Sequence, residues 1–497
     1  MNPFSFTNRY LRLGDKFYAK TRPSPVPAPA LIQFNKKLAD EMGVSLNSLD
    51  EQALGKLFAG NTVPEDAEPL AMAYAGHQFG NFVPQLGDGR ALLLGDSVSP
   101  EGVPFDIHLK GSGSTFYSRN GDGRAALGPV LREYLVSEAM ARLGVPTTRG
   151  LAVVTTGEDV AREQLLPGGI ITRVASSFVR VGTFQYFSAR NDLESIRQLA
   201  DYVIERNYPQ AGEEAYPYAV LLQAIVDRQA VLIAKWMQLG FIHGVMNTDN
   251  MSVAGETIDY GPCAFMDAYA HDRTYSYIDR NGRYSYSNQP SMGLWNLTRL
   301  AETFLPLLAD NADTAVETAQ DVLNTYAETY QREWLAGMRE KCGLTAAVDM
   351  SDSEGDQALI EALFDTMADN KADFTQLFSC LSHLELSPSK RDDDCRRLFD
   401  EPAQFDQWAT QWRGRLTKEA SNDAARQASM QAINPLYIPR NHQIEAAIRA
   451  AEDHDDFSVF HALHEVLQNP FSPQAGKERY TLPPEPDEEV RQTFCGT

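Results

Sequence analysis

The chain has 497 residues, of which 43% are hydrophobic and 22% charged, and its formal net charge is -23. These proportions are those of a globular protein that is large enough for two or more structural units. The negative charge argues against binding to nucleic acids or anionic membranes, because both require a basic surface. The sequence shows neither a secretory signal nor an apolar run of membrane-spanning length, so we expect a cytoplasmic protein.

Residues 1–70 are predicted to form an N-terminal extension that packs on the rest of the protein. They combine a proline-rich stretch, residues 22–29, with a predicted helix over residues 30–42. This composition does not indicate a separate domain.

A Gly-Asp-Gly turn, from Gly87 to Gly89, is predicted between two strands and is followed directly by Arg90. Glycines without side chains allow backbone N–H groups to approach the phosphates of a nucleotide. The same turn occurs in ordinary β-hairpins, so this pattern alone leaves both interpretations open.

Lys110 ends a predicted strand, residues 104–110, in which apolar and polar side chains alternate. In the amino-terminal lobe of a kinase, a lysine at this position contacts the phosphates of ATP. The next predicted helix, residues 129–143, carries Glu133 and Glu138. Either glutamate could form the ion pair that holds such a lysine in place.

Further residues with the chemistry of phosphate binding lie in a loop and in a later strand. The glycine-rich loop at residues 111–124 carries Asp122 and Gly123. Arg173 lies in a predicted strand and Arg180 follows it. A guanidinium group matches the geometry of phosphate oxygens, although two such arginines are also compatible with an ordinary protein surface.

A polar loop after a long predicted helix, residues 217–240, is the feature around which the chain is organised. In residues 243–250, His-Gly-Val-Met-Asn-Thr-Asp-Asn, the His and the last Asn have the spacing of the kinase catalytic loop. Asn250 and Asp259 stand where a kinase holds its metal ion, and Asp259 ends a predicted β-hairpin.

One position in this loop departs from the kinase pattern. Val245 stands where a kinase has its catalytic Asp, so the usual base for phosphoryl transfer is missing. Asp249 supplies a carboxylate further along the same loop. The alternative interpretation is a loop whose Asn and Asp residues only cap the backbone.

Together these elements predict an α+β, protein-kinase-like bilobal fold. We expect a mixed β/α N-lobe that binds nucleotide at residues 71–190, and a mostly helical C-lobe at residues 191–468 that contains the catalytic and metal-binding loop 241–262. Residues 469–497 form a C-terminal tail with Cys495, and residues 392–394 are predicted to be a solvated loop. Helices of the C-lobe are predicted over residues 295–308, 314–340, 356–370, 403–416, 443–451 and 457–467.

Six motifs carry a resemblance to a known family over nearly the whole chain. They are Gly76-His-Gln-Phe-Gly80, Gln85-Leu-Gly-Asp-Gly-Arg90, His108-Leu-Lys-Gly111, Tyr117-Ser-Arg-Asn-Gly-Asp-Gly-Arg124, His243-Gly-Val-Met-Asn-Thr-Asp-Asn250 and Asp259-Tyr-Gly-Pro262. Jointly they resemble the selenoprotein O family of kinase-like protein nucleotidyltransferases. Members of that family bind ATP turned around in the cleft, which buries the γ-phosphate and presents the α-phosphate. The resemblance therefore implies transfer of AMP to a protein hydroxyl.

The resemblance also implies roles for the candidate residues. The phosphates are assigned to Lys110, Arg173 and Arg180, and the rest of the nucleotide to Gly87, Gly89, Arg90, Asp122 and Gly123. The metal is assigned to Asn250 and Asp259, and the role of general base to Asp249. The resemblance selects Glu133 as the residue that positions Lys110. The implied cofactor is Mg²⁺ or Mn²⁺, ATP is the implied co-substrate with UTP as a second donor, and the partners are proteins bearing Ser, Thr or Tyr. We expect the chain to act as a monomer.

Members of this family also carry a redox-active Cys or selenocysteine near the carboxy terminus, where this chain has Cys495. Certain bacterial members pair it with a Cys in the activation segment. The corresponding residues here, 270–287, contain no Cys, which argues against redox regulation of that kind. Cys263 is the one partner that the resemblance leaves to be tested.

Two functions from other classes are compatible with the same residues. The first is a kinase acting on a protein or a small molecule, against which Val245 argues. The second is an inactive nucleotide-binding pseudokinase module that only docks partners. We expect the nucleotidyltransferase, because the base of this loop has moved from position 245 to Asp249.

Overall fold

A computed structural model describes residues 3–344, 350–419 and 422–493 of the protein, so Cys495, whose pairing with Cys263 was left to be tested, lies outside the described residues. The strands are β1 (Tyr18–Lys20), β2 (Ala30–Phe34), β3 (Leu70–Met72), β4 (Gly76–Gln78), β5 (Asn81–Val83), β6 (Ala91–Val98), β7 (Pro104–Lys110), β8 (Ala125–Ala126), β9 (Arg149–Ala161), β10 (Leu165–Ala175), β11 (Phe241–Ile242) and β12 (Ala264–Phe265). The helices are α1 (Lys36–Glu41), α2 (Glu51–Phe58), α3 (Leu127–Arg142), α4 (Val181–Ser188), α5 (Leu193–Asn207), α6 (Pro217–Gln238), α7 (Gln289–Leu308), α8 (Ala312–Lys341), α9 (Met350–Asn370), α10 (Phe374–Leu381), α11 (Asp392–Arg396), α12 (Pro402–Leu416), α13 (Asp423–Gln431), α14 (Asn441–His454) and α15 (Ser458–Leu467).

An antiparallel sheet organises the first part of the chain. Its strand order is β1-β3-β6-β7-β10-β9-β2, and β8 pairs with β10. Strand β7 has the predicted limits, and its Phe105, Ile107 and Leu109 enter one apolar cluster. The alternating polar residues of β7 point to the opposite face, which is also covered by protein, so that His108 is fully buried. This burial on both faces brings polar side chains together inside the protein.

The remainder of the described chain is mostly helical, as predicted. Helix α6 packs against α7 and α8 and forms the centre of the helical region. By length and composition α6 could also cross a bilayer, but half of its most apolar window is buried inside the protein, and one such helix is weak evidence for a membrane span. The structure is thus a mixed α+β fold with one large sheet and many helices, which confirms the predicted class and is compatible with a kinase-like fold.

Two local predictions are wrong. Residues 30–42 are not one helix, because they begin with strand β2, which pairs with β9. Helix α1 follows, and Asn35 is its N-cap, since the Asn35 side chain accepts a hydrogen bond from Leu38 N. Residues 392–394, predicted as a loop, form the first turn of α11. Acidic residues favour the start of a helix because of its dipole, so their charge did not indicate a loop.

Candidate nucleotide-binding and catalytic site

Five charged side chains from separate parts of the chain form one ion cluster. Lys110 Nζ lies 2.5 Å from Glu133 Oε2 and 3.5 Å from Asp259 Oδ1. Arg173 Nη1 lies 3.1 Å from Glu133 Oε1 and 2.7 Å from Asp259 Oδ1. Arg180 Nη1 lies 3.1 Å from Asp259 Oδ2. The structure therefore brings together the three predicted phosphate-binding cations, the positioning glutamate and one predicted metal ligand.

The local folding of the sequence explains how these residues meet. Lys110 is the last residue of β7, Arg173 lies on the adjacent β10, and Glu133 lies on α3, which packs against β9 and β10. Arg180 directly precedes α4. Asp259 has φ of 60°, in the left-handed region that few residues with a side chain adopt. Its ion pairs with three cations hold it in this conformation.

The charges of the cluster keep both of its carboxylates ionised. Burial alone would raise the pKa of Asp259, but Arg173, Lys110 and Arg180 hold it well below its usual range. Burial also acts to raise the pKa of Glu133, and Lys110 and Arg173 again lower it. Three cations thus face two carboxylates, so these five groups together carry one excess positive charge.

The structure pairs Lys110 with Glu133 rather than with Glu138. Glu138 is also buried, but it accepts hydrogen bonds from Arg149 Nε at 2.9 Å and from Arg149 Nη2 at 2.8 Å. Asn35 Nδ2 donates to the same carboxylate at 2.8 Å. Glu138 therefore fastens α3 to the start of β9 and to the N-terminal extension.

The predicted catalytic loop lies beside the ion cluster. The predicted hairpin after it is reduced to a single bridge between Met251 and Thr257. Arg180 Nη1, which contacts Asp259, also donates to the backbone carbonyl of Asp249 at 2.8 Å. Asn250 Nδ2 donates to Val245 O at 3.0 Å, which orients the amide of Asn250 and leaves its Oδ1 as an acceptor.

Asp249 is almost completely buried. Gln78 Nε2 lies 3.4 Å from its Oδ2, while its Oδ1 has no hydrogen-bond partner within the described part of the chain. Burial raises the pKa of Asp249 to about 6. An orphaned buried carboxylate oxygen is uncommon in proteins and marks a position where a ligand or substrate group can bind.

The hairpin formed by β4 and β5 covers the catalytic loop. His77 N donates to Thr248 Oγ1 at 2.7 Å, and Phe79 N donates to Asn247 Oδ1 at 3.0 Å. Gly76 has no side chain, and a Cβ at this position would overlap Asp249 Oδ1. The motif Gly76-His-Gln-Phe-Gly80 therefore positions the loop that carries Asp249, a contact that sequence reasoning missed.

The sequence predicts that Gly87 to Gly89 form the turn of a hairpin between two strands. This prediction is wrong. These residues run alongside the end of β3: Gly87 N donates to Tyr74 O at 3.1 Å, and Asp88 N donates to Met72 O at 2.9 Å. A Cβ on Gly87 would overlap the ring of Tyr117, which explains the need for glycine at this position. The backbone of Arg90 continues beside Lys110, because Arg90 O accepts a hydrogen bond from Gly111 N at 2.7 Å.

Asp122 and Gly123 are not joined to the ion cluster by any contact among the described residues. Asp122 Oδ2 lies 2.9 Å from Arg162 Nη1. Gly123 has φ of +68° and lies against the backbone of Gly113. The end of the loop is thus held by Arg162, which lies between β9 and β10, rather than by the ion cluster.

Two buried residues next to the cluster escaped the sequence analysis. Arg173 Nη2 lies 2.9 Å from His108 Nδ1, and His108 Nε2 lies 3.1 Å from Asp88 Oδ2. The sequence indicates only that His108 lies on the same face of β7 as Lys110 and that Asp88 lies between two candidate glycines. Neither observation identifies Arg173 as the partner of His108 or His108 as the partner of Asp88.

The donor set of the site fits a hard divalent cation that also binds phosphates. Asn250 supplies an amide oxygen and Asp259 a carboxylate, which are ligands suited to Mg²⁺ or Mn²⁺. The described residues contain no group of three or more His, Cys, Asp or Glu side chains that could form a metal cage.

The chain is similar to known proteins over nearly its whole length. Residues 2–468 match the profile of a family described as "Protein adenylyltransferase SelO". Proteins named "Protein nucleotidyltransferase YdiU" are similar over almost the whole chain. That of Rhodopseudomonas palustris (strain BisB5) is 55% identical over 494 residues, 99% of both chains, and that of Rhizobium meliloti (strain 1021) is 54% identical over 497 residues, 100% of both chains.

These matches define the class as that of protein nucleotidyltransferases. Within that class, the chain belongs to the SelO family of protein adenylyltransferases. The resemblance read from the six sequence motifs is thereby confirmed.

Proposed function

We propose that this protein transfers AMP from ATP to Ser, Thr or Tyr hydroxyls of other proteins and releases pyrophosphate. Membership of the SelO family supports the type of reaction. The observation that carries the proposal for this site is the convergence of Lys110, Arg173 and Arg180 on one carboxylate, Asp259, within 3.5 Å.

The three cations bind the triphosphate. Arg173 and Arg180 are 2% and 3% exposed, so their charges are poorly screened by water. In the structure Asp259 compensates their charges. A bound triphosphate supplies more negative charge than one carboxylate and replaces Asp259 as their partner, with Glu133 still holding Lys110.

Release of Asp259 from the cations makes it available as a metal ligand together with Asn250. Mg²⁺ or Mn²⁺ supplies charge neutralisation at the phosphates when it is bound. Because the same cations contact Asp259 in the free protein, metal and nucleotide should bind together rather than independently. Asn250 is already oriented for this role by its hydrogen bond to Val245 O.

Asp249 acts as the general base. The oxygen of the acceptor hydroxyl attacks the α-phosphorus, its proton passes to Asp249, and the bond between the α-phosphorus and the bridging oxygen breaks. Pyrophosphate leaves with the electrons of that bond, and Lys110, Arg173 and Arg180 stabilise its charge. The unpartnered Oδ1 of Asp249 is the atom that would accept the proton.

The remaining candidate residues surround the nucleotide. The backbone at Gly87, Gly89 and Arg90 is held next to β3 and Lys110, and we propose that it contacts ATP. Asp122 and Gly123 belong to a separate loop, and their proposed role requires that this loop reach the nucleotide. The proposed N-lobe, residues 71–190, supplies Lys110, Glu133, Arg173 and Arg180. The proposed C-lobe, residues 191–468, supplies Asp249, Asn250 and Asp259. The site would therefore lie in the cleft between the two lobes.

ATP labelled separately on the α- and γ-phosphates tests the reaction. We expect label on a protein acceptor only from the α-position, with release of labelled pyrophosphate from the γ-position. Transfer from the γ-position would indicate a kinase, and transfer from neither would indicate a binding module; both results contradict the proposal. The same assay with α-labelled UTP tests the second donor, and omission of Mg²⁺ and Mn²⁺ tests the need for a metal.

A further inference from the structure

The guanidinium group of Arg173 is held by three partners of different kinds. Its Nη1 contacts Glu133 and Asp259, which also contact Lys110 and which, under the proposed function, have roles of their own. Its Nη2 contacts Nδ1 of His108 at 2.9 Å, and its buried Nε has no partner among the residues that the structure describes. The contacts with Glu133 and His108 therefore both remain when Asp259 turns to a metal ion, and the contact with His108 is the one that involves no carboxylate.

The sheet itself creates this contact. His108 on β7 and Arg173 on β10 are directly opposite each other in the antiparallel register. Side chains of such a pair lie on the same face and within reach of each other. The ring of His108 also stacks on Phe178, with 4.4 Å between ring centroids, which fixes the plane of the imidazole.

Asp88 determines which nitrogen of His108 carries the proton. Its Oδ2 lies 3.1 Å from His108 Nε2 and also accepts a hydrogen bond from Met72 N at 3.1 Å. Since a carboxylate accepts and a guanidinium donates, Nε2 bears the hydrogen and Nδ1 offers its lone pair to Arg173. Both residues are buried, with His108 0% and Asp88 2% exposed, and burial lowers the pKa of His108, which favours the neutral ring.

A neutral acceptor is suited to a cation that must bind phosphate. A carboxylate in place of His108 would add a third negative group to Arg173, beside Glu133 and Asp259, and would repel the nucleotide. An apolar residue would leave Nη2 buried without a partner. The imidazole accepts a hydrogen bond from the guanidinium without adding negative charge beside it.

We propose that Asp88 and His108 are positioning residues, which orient Arg173 towards the phosphates of the nucleotide and connect it to the Gly87–Gly89 segment. This inference rests on the proposed role of Arg173 in binding ATP. Neither residue contacts the reacting atoms, so both act through Arg173.

Three substitutions of His108 separate its two hydrogen bonds. His108→Asn keeps an acceptor near the position of Nδ1, His108→Gln keeps a donor near the position of Nε2, and His108→Phe keeps only the ring. We expect His108→Gln and His108→Phe to raise the KM for ATP by about tenfold or more, and His108→Asn to stay within about threefold of the wild type. Asp96→Asn is the matched control, because Asp96 is buried in the same sheet and contacts Arg206 rather than Arg173; its KM should not change.

A double-mutant cycle with Arg173→Ala distinguishes positioning from a general structural effect. If His108 acts through Arg173, His108→Phe lowers kcat/KM by about tenfold in the wild type but by less than about twofold in the Arg173→Ala background. An equal loss in both backgrounds, or a wild-type KM in all His108 variants, would overturn the inference. If His108→Phe does not fold, the same cycle is run with His108→Gln.

The outcome for Arg173→Ala alone separates this inference from the proposed function. A wild-type KM for ATP in that variant would remove the phosphate-binding role of Arg173 and the inference with it. A raised KM in Arg173→Ala combined with unchanged His108 variants would refute the positioning role only.

Discussion

Replacing Asp259 by asparagine tests the ion cluster, because it removes one charge with little change in shape. Oδ1 of Asp259 lies 2.7 Å from Arg173 and 3.5 Å from Lys110, and Oδ2 lies 3.1 Å from Arg180. At an effective dielectric constant of about 20, each contact corresponds to roughly 5 kcal/mol of gross attraction. Desolvation cancels most of this, and breaking a buried pair costs about 3–5 kcal/mol net.

We therefore expect Asp259→Asn to lower the free energy of unfolding by about 3–5 kcal/mol in the absence of nucleotide. An amide offers one acceptor oxygen to three cationic donors, so at least one cation loses its partner. Transfer of AMP should fall by about 100-fold or more, because a proposed metal ligand is lost. ATP added without metal should stabilise the variant more than the wild type, since the triphosphate supplies the missing negative charge.

The assays are urea unfolding, thermal denaturation with and without metal-free ATP, and transfer of α-label. Asp356→Asn is the control, because Asp356 is also a buried carboxylate held by two arginines, Arg339 and Arg415, outside the site. It should lose similar stability but keep its KM for ATP. Wild-type transfer by Asp259→Asn, or no added stabilisation by metal-free ATP, would refute the reasoning.

Three further predictions concern Glu133, Asp249 and His464. Glu133→Gln should lower kcat/KM for ATP by about tenfold because Lys110 loses the charge of its partner Glu133. Glu138→Gln should reduce stability and leave the KM for ATP unchanged. Equal kinetic losses in the two variants would contradict the pairing of Lys110 with Glu133. Asp249→Asn should bind ATP with wild-type affinity in calorimetry but lower kcat by about 100-fold or more, and retained turnover would remove its role as base. Burial lowers the pKa of His464 to about 4 from its ordinary value of 6.5, so the unfolded chain binds the proton more readily than the folded protein. The contribution of His464 to the free energy of unfolding should therefore fall by about 2–3 kcal/mol as the pH is lowered from 7 to 4.5. Urea unfolding at both pH values should show a smaller loss for His464→Phe, and an equal loss would contradict this sign.

The elements of the fold were predictable where local patterns decide the structure. The alternation in β7 and the periodicity of α6, α8 and α12 come from residues that are neighbours in sequence. Strand β2 was mistaken for a helix because its place is set by pairing with β9, more than 100 residues later. Local propensity does not contain that information.

The same limit applies to the site. Glu133 and Glu138 lie on one helix and both are buried, and only the placement of Lys110 on β7 and of Arg149 on β9 decides which glutamate holds the lysine. The contact of Gln78 with Asp249 joins residues 171 positions apart. Residue types thus identified the chemistry, while the partners of each residue depended on the order of strands in the sheet.

The central claim is that Lys110, Arg173 and Arg180 bind the same triphosphate that the metal at Asn250 and Asp259 contacts. A crystal structure with a non-hydrolysable ATP analogue and Mn²⁺ tests it most directly. We predict that the β- and γ-phosphates contact the three cations and that Asn250 and Asp259 bind the metal. The α-phosphate should face Asp249. A nucleotide bound away from these cations, or one whose γ-phosphate faces Asp249, would contradict it.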